Sequence, residues 1–119
     1  MEEFFASIRR GSFRIPVCTL CKQKVWPPSR YCKSCFSKAE LESVVKEGTL
    51  LEFTKSYIGN NEVIFGAVEI CGIRLLGRLN PTCKKFQNGM KVRMTECGIN
   101  TEGRIFYNFE SKVGEQTGN

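Results

Sequence analysis

Cys18-Thr19-Leu20-Cys21, followed ten residues later by Cys32-Lys33-Ser34-Cys35, decides how the first third of this chain folds. Two C-x-x-C knuckles can place four thiolates at the corners of one tetrahedron, the arrangement a structural Zn²⁺ prefers. Iron shares that geometry and is the second choice of metal. Two disulfides, a redox C-x-x-C or four unrelated buried thiols are the other readings of the same residues. With all four positions filled by Cys18, Cys21, Cys32 and Cys35, no place remains for water or substrate, so the metal is expected to be structural. It also has physical work to do. Between Arg14 and Lys38 there are few large apolar side chains, and so small a piece cannot bury enough surface to fold alone. Metal binding can supply on the order of 10 kcal/mol.

Outward from the knuckles, Met1, Phe4, Phe5 and Ile8 recur at helical spacing and predict a short amphipathic helix. Glu2 and Glu3 open it, Arg9 and Arg10 close it, and Gly11 is a plausible stop. So short a helix is marginal unless docked. Its stripe of Phe4, Phe5 and Ile8 must therefore pack on this chain or on a partner, and we read it as a candidate partner surface. Between the knuckles, Pro27 and Pro28 exclude an interior strand. Trp26, the only tryptophan, is expected to cap this mini-core or to stack on a ligand.

From Gly48 the pattern changes to period two. Leu51, Phe53 and Tyr57 alternate with Glu52, Thr54 and Ser56, which predicts a strand. Glu62 to Ile70 gives a second, and Cys71-Gly72 turns the chain into a third over Ile73 to Leu79. Asn80-Pro81 breaks that strand, and residues 82–89 have room for a helical turn. Met90, Val92 and Met94 mark a fourth strand; Ile105, Tyr107 and Phe109 mark a fifth. Five short strands, with room for a helix after the third, fit an OB-fold barrel, with a sandwich or an SH3-like barrel as rivals. Gly66 and Gly77 suit tight barrel bends. The tail from Val113 is polar and expected to fray.

The chain has 119 residues, no His and no Asp, its twelve acids all being Glu. Ser-His-Asp and Cys-His catalysis is excluded, leaving Cys, Glu, Lys, Arg and Tyr for proton transfer. Cys71, Cys83 and Cys97 lie outside the knuckles and read as small half-buried thiols. No secretory signal or membrane-length apolar run is visible, and seven cysteines then point to a reducing cytoplasm. Residues 1–38 carry eight Lys/Arg against Glu2 and Glu3, whereas ten of each sign balance over residues 39–119. The N-terminal third is thus a basic patch suited to phosphate or to an acidic partner.

These pieces together resemble the acyl-CoA-associated proteins of the family called domain of unknown function thirty-five. The resemblance rests on the helix, Cys18-x-x-Cys21, Trp26-Pro27-Pro28-Ser29-Arg30, Cys32-x-x-Cys35 and Gly48-Thr49-Leu50. It continues through Arg74-Leu75-Leu76-Gly77-Arg78-Leu79, Asn88-Gly89-Met90-Lys91-Val92 and Gly103-Arg104-Ile105-Phe106-Tyr107. One departure is that Lys22 and Phe36 follow the knuckles, where the family usually has Gly. The resemblance implies a mainly β chain: an N-terminal helix over 1–13, a rubredoxin-like zinc ribbon over 14–38, a five-stranded OB-fold over 39–112 and a tail over 113–119. It implies a non-catalytic subunit that assists a thiolase-like enzyme, with hydroxymethylglutaryl-CoA synthase as a possible second partner, in assembly and in handling CoA or acyl-CoA. Arg74 and Arg78, on one face of one strand, are then candidates for the phosphates of CoA. Binding of single-stranded nucleic acid is the alternative, since both modules also serve there. An independent enzyme using Cys71, Cys83 or Cys97 is the third reading.

Overall fold

The computed structural model describes residues 1–80 and 85–112. The break expected at Pro81, the start of the helical turn over 82–89, Cys83 and the tail from Val113 fall outside these residues. The chain divides into two compact units, Met1–Val44 and Val45–Asn119.

In the first unit, α1 spans Glu2–Arg9, with acids in its first turn and Arg9 in its last. Gly11 takes φ 78° and returns its N–H to the Ile8 carbonyl at 2.8 Å, so the expected stop is where the helix ends. Ser7 is buried, its hydroxyl donating to the Ser12 carbonyl at 2.7 Å. β1 (Arg14–Cys18) and β2 (Ala39–Ser43) form an antiparallel ribbon in the register Arg14↔Ser43 to Cys18↔Ala39. Residues 39–43, expected in the barrel, are instead joined by their hydrogen bonds to the strand that leads into the first knuckle.

The second unit is a closed barrel of β3 (Glu47–Ile58), β4 (Asn61–Ile70), β5 (Ile73–Asn80), β6 (Lys91–Ile99) and β7 (Ile105–Ser111). Around the barrel the order is β3-β4-β5-β7-β6. β5 runs parallel to β7 and all other neighbours are antiparallel, which is the OB-fold arrangement. Leu50, Val68, Ile70, Leu79, Val92 and Phe109 fill its interior. Gly66 and Gly77 are register partners. A Cβ on Gly77 would lie 2.5 Å from the Tyr107 carbonyl oxygen, so glycine there permits strand contact as well as curvature. Cys71 and Gly72 both take positive φ in the β4–β5 turn, the two-residue hairpin geometry that matches strand twist.

The first barrel strand corrects the alternation read from sequence. The register of β3 shifts between Leu50 and Glu52, and such a bulge turns the following side chains over. Leu50 is therefore core and Leu51 is exposed. Tyr57 is also exposed, in a stretch of β3 paired with β4 alone.

Candidate functional site

The two knuckles repeat the same backbone device fourteen residues apart. Cys18 N–H donates to the Gln23 carbonyl and Cys32 N–H to that of Ser37, each at 2.9 Å. Lys22 N–H returns to the Cys18 carbonyl at 3.1 Å, and Phe36 N–H to that of Cys32 at 2.9 Å. Val25 donates to Pro16 and Ala39 to Arg30 in the same relation. The departure at Lys22 and Phe36 does not change this geometry. They take φ 67° and 62°, the left-handed conformation glycine would adopt freely. The chain accepts that strain at both knuckles.

This backbone brings the Sγ atoms of Cys18, Cys21, Cys32 and Cys35 within 4.8 Å of one another. Cys18–Cys35 is 3.4 Å, Cys21–Cys32 3.7 Å and Cys21–Cys35 4.0 Å. With metal–sulfur bonds of about 2.3 Å, the edges of a tetrahedral site are about 3.8 Å. The observed separations bracket that value, so the donor set fits one metal ion. The Cys18 sulfur accepts N–H bonds from Leu20 and Cys21, both at 3.4 Å. The Cys21 amide is the larger influence holding the Cys18 thiol below its usual pKa. The amides of Cys35 and Ser34 do the same for Cys32. At Cys21 the Gln23 amide also pulls downward. Desolvation and the surrounding sulfurs outweigh it, and the thiol is pushed up to about 11. Cys18 and Cys32 are buried with Val25 and Ala39, and Cys35 packs against that cluster. Cys21 is exposed.

The remaining predicted residues separate. Phe4 is 1% exposed and Ile8 is fully buried, which corrects their reading as a partner surface: the helical stripe covers its own unit. The Phe4 ring meets Trp26 edge-on, 5.7 Å between centroids. Trp26 is thus half-buried against the helix. Phe5 alone of the stripe is exposed. Arg74 and Arg78 are both exposed on β5, but Arg74 donates to the Glu52 carboxylate at 2.7 Å. Arg78 makes no ion pair among the described residues.

Arg78 lines a groove of 820 Å³ on the barrel, with Glu52, Phe65, Leu76, Phe106 and Asn108 among its walls. Phe65 stands on the outer face of β4, as the fifth residue of the strand's pattern shows. The signal that could have found it is the glycine beside it: Gly66 takes the inward place. Cys97 and Tyr107 are buried; desolvation raises the Cys97 thiol and lifts the Tyr107 phenol to about 12. Among the described residues, no helix is long and apolar enough to cross a membrane.

A knuckle pair followed by an OB barrel defines the class of protein. No family model and no curated protein matches this sequence. Solved structures do match its fold. The Ltp2-ChsH2(DUF35) aldolase superposes with a TM-score of 0.73 at 19% identity, over 92% of each chain. A DUF35 protein of unknown function from Sulfolobus solfataricus gives 0.62 at 18% identity, over 93% of this chain and 84% of the other. The chain shares the fold of these two DUF35 structures over 92% and 93% of its length.

Proposed function

We propose that this chain is a non-catalytic accessory subunit of a thiolase-type acyl-CoA enzyme complex in the cytoplasm. In this reading Cys18, Cys21, Cys32 and Cys35 hold one structural Zn²⁺. The observation that carries it is the combination of four clustered cysteine sulfurs with a fold that matches the Ltp2-ChsH2(DUF35) aldolase over 92% of both chains. The motifs that resemble the acyl-CoA-associated family support the same assignment, with hydroxymethylglutaryl-CoA synthase as a second candidate partner. A thiolase-type reaction needs an activated thiol and a base with pKa near working pH. This chain has no His, and burial moves Cys97 and Tyr107 away from that range. Positioning is then its contribution: holding subunits together and closing a surface over CoA or acyl-CoA. Phe5 remains a candidate partner contact.

The exposed Phe65 and Tyr57 favour, as a second reading, binding of single-stranded nucleic acid. Against it, ten Lys/Arg face eight Glu from Val45 onward, a small excess for a strand-binding groove. Affinity purification from the native host, with attached proteins identified by mass spectrometry, tests the proposal. A thiolase-type enzyme should be retained, and the isolated chain should turn over no acyl-CoA. Acyl-CoA turnover by the chain alone would contradict the accessory role. Retention of nucleic acid with no acyl-CoA enzyme would favour the second reading.

A further inference from the structure

We propose that the outer face of β4 and β5 is a nucleotide site, taking a base on the Phe65 ring and a phosphate on the Arg78 guanidinium. The accessory-subunit reading supplies the source of that nucleotide, the adenosine 3′-phosphate end of CoA; the site itself stands on the barrel.

Phe65 and Arg78 are direct register partners on adjacent strands, and such partners have Cβ atoms about 5 Å apart. Phe65 is 42% exposed, and Leu76, one row along on the same face of β5, is 69% exposed. A polar side chain at Leu76 would cost the barrel little packing. Phe106 and Leu76 widen the apolar bed beside the ring. The charges on this face are sorted. Among the described residues Glu52 is the only acid lining the groove, and Arg74 pairs with it at 2.7 Å. Among the described residues, Arg78 is left as the one uncompensated charge in the groove. Its neighbour Asn108 directs its amide N–H to Glu96 at 3.0 Å, leaving its side-chain oxygen as an acceptor for a base amino group.

A flat aromatic face beside a single cation matches a planar ring carrying a phosphate. An acyl chain has no use for the guanidinium, and its burial needs an enclosed channel rather than an open strand face. The groove volume of 820 Å³ lies within the roughly 300–1,000 Å³ of small-molecule sites. A strand of nucleic acid would need a row of cations where this groove offers one.

Isothermal titration of the full chain with adenosine 3′,5′-bisphosphate, CoA, pantetheine and an oligo-dT tests the site. The bisphosphate and CoA should bind with similar affinity, and pantetheine and oligo-dT should bind far more weakly. Phe65→Ala and Arg78→Gln should each weaken the bisphosphate about tenfold or more while the barrel stays folded. No bisphosphate binding at millimolar concentration, pantetheine binding as tight as CoA, or indifference to both substitutions would overturn the proposal. Oligo-dT binding tighter than the bisphosphate, and lost in both variants, would keep the base-and-phosphate site while giving it a strand as its source. If nucleotide binds but no acyl-CoA enzyme co-purifies, the site stands and the accessory-subunit reading falls.

Discussion

The two units of this chain solve the problem of small size in different ways. Residues 45–112 close five strands into a barrel around Leu50, Val68, Leu79, Val92 and Phe109, and every strand gains two neighbours. Residues 1–44 offer one eight-residue helix, a two-stranded ribbon and a core that includes the cysteines themselves. A piece below about 40–45 residues rarely stands without a cross-link. The lesson is that four clustered sulfurs can make good, through one metal ion, the hydrophobic surface that the first unit lacks, whereas the second has a continuous apolar interior.

The contrast can be broken most strongly at a ligand. Cys32→Ser should abolish metal retention and unfold residues 1–44 while the barrel stays folded, because structural metal supplies about 10 kcal/mol or more of folding free energy. Metal analysis and amide spectra of the variant check both halves. The complementary break is Gly77→Val. Its Cβ would meet the Tyr107 carbonyl oxygen at 2.5 Å and the Phe109 ring at 2.6 Å, so the barrel should lose about 3 kcal/mol or more. The metal should remain bound; its loss along with barrel stability would show that the units do not stand independently.

A smaller effect sharpens the account of the first unit. Phe4→Ala should lower its stability by about 3–5 kcal/mol, read as easier metal loss to a chelator. Phe5→Glu should change it by no more than about 0.5 kcal/mol. Equal effects would return Phe4 to the partner surface from which its burial removes it. Smallest of all, Phe36→Gly should raise resistance to the chelator by about 0.5–1 kcal/mol, since a bulky residue at positive φ is replaced by one without strain. A loss of resistance would mean that the exposed Phe36 ring contributes something the backbone does not explain.

Much of the metal site was legible in the sequence because its chemistry lies in residue type and spacing: Cys18, Cys21, Cys32 and Cys35 need only be counted. The barrel strands were legible from period two and from turns such as Cys71-Gly72. Three things were not. A bulge is a backbone event, and nothing in Leu50-Leu51 says which leucine faces inward. Amphipathicity identifies the stripe of Phe4 and Ile8 but not what covers it. Ala39–Ser43 carries Glu at alternate places and little apolar signal, so its pairing with Arg14–Cys18 is fixed by the knuckles rather than by its own pattern. Of the two arginines on β5, sequence could not say that Glu52 engages Arg74 and spares Arg78.

The central claim, that sulfur-bound metal holds residues 1–44 and leaves the barrel self-sufficient, is tested most directly by residue-resolved hydrogen exchange before and after metal removal with a strong chelator. The account predicts that amides of residues 14–43 lose protection, including those of Cys18, Val25, Cys32 and Ala39. Amides of β4 and β5 should keep theirs. Unchanged protection in the knuckles after the metal is gone would contradict it.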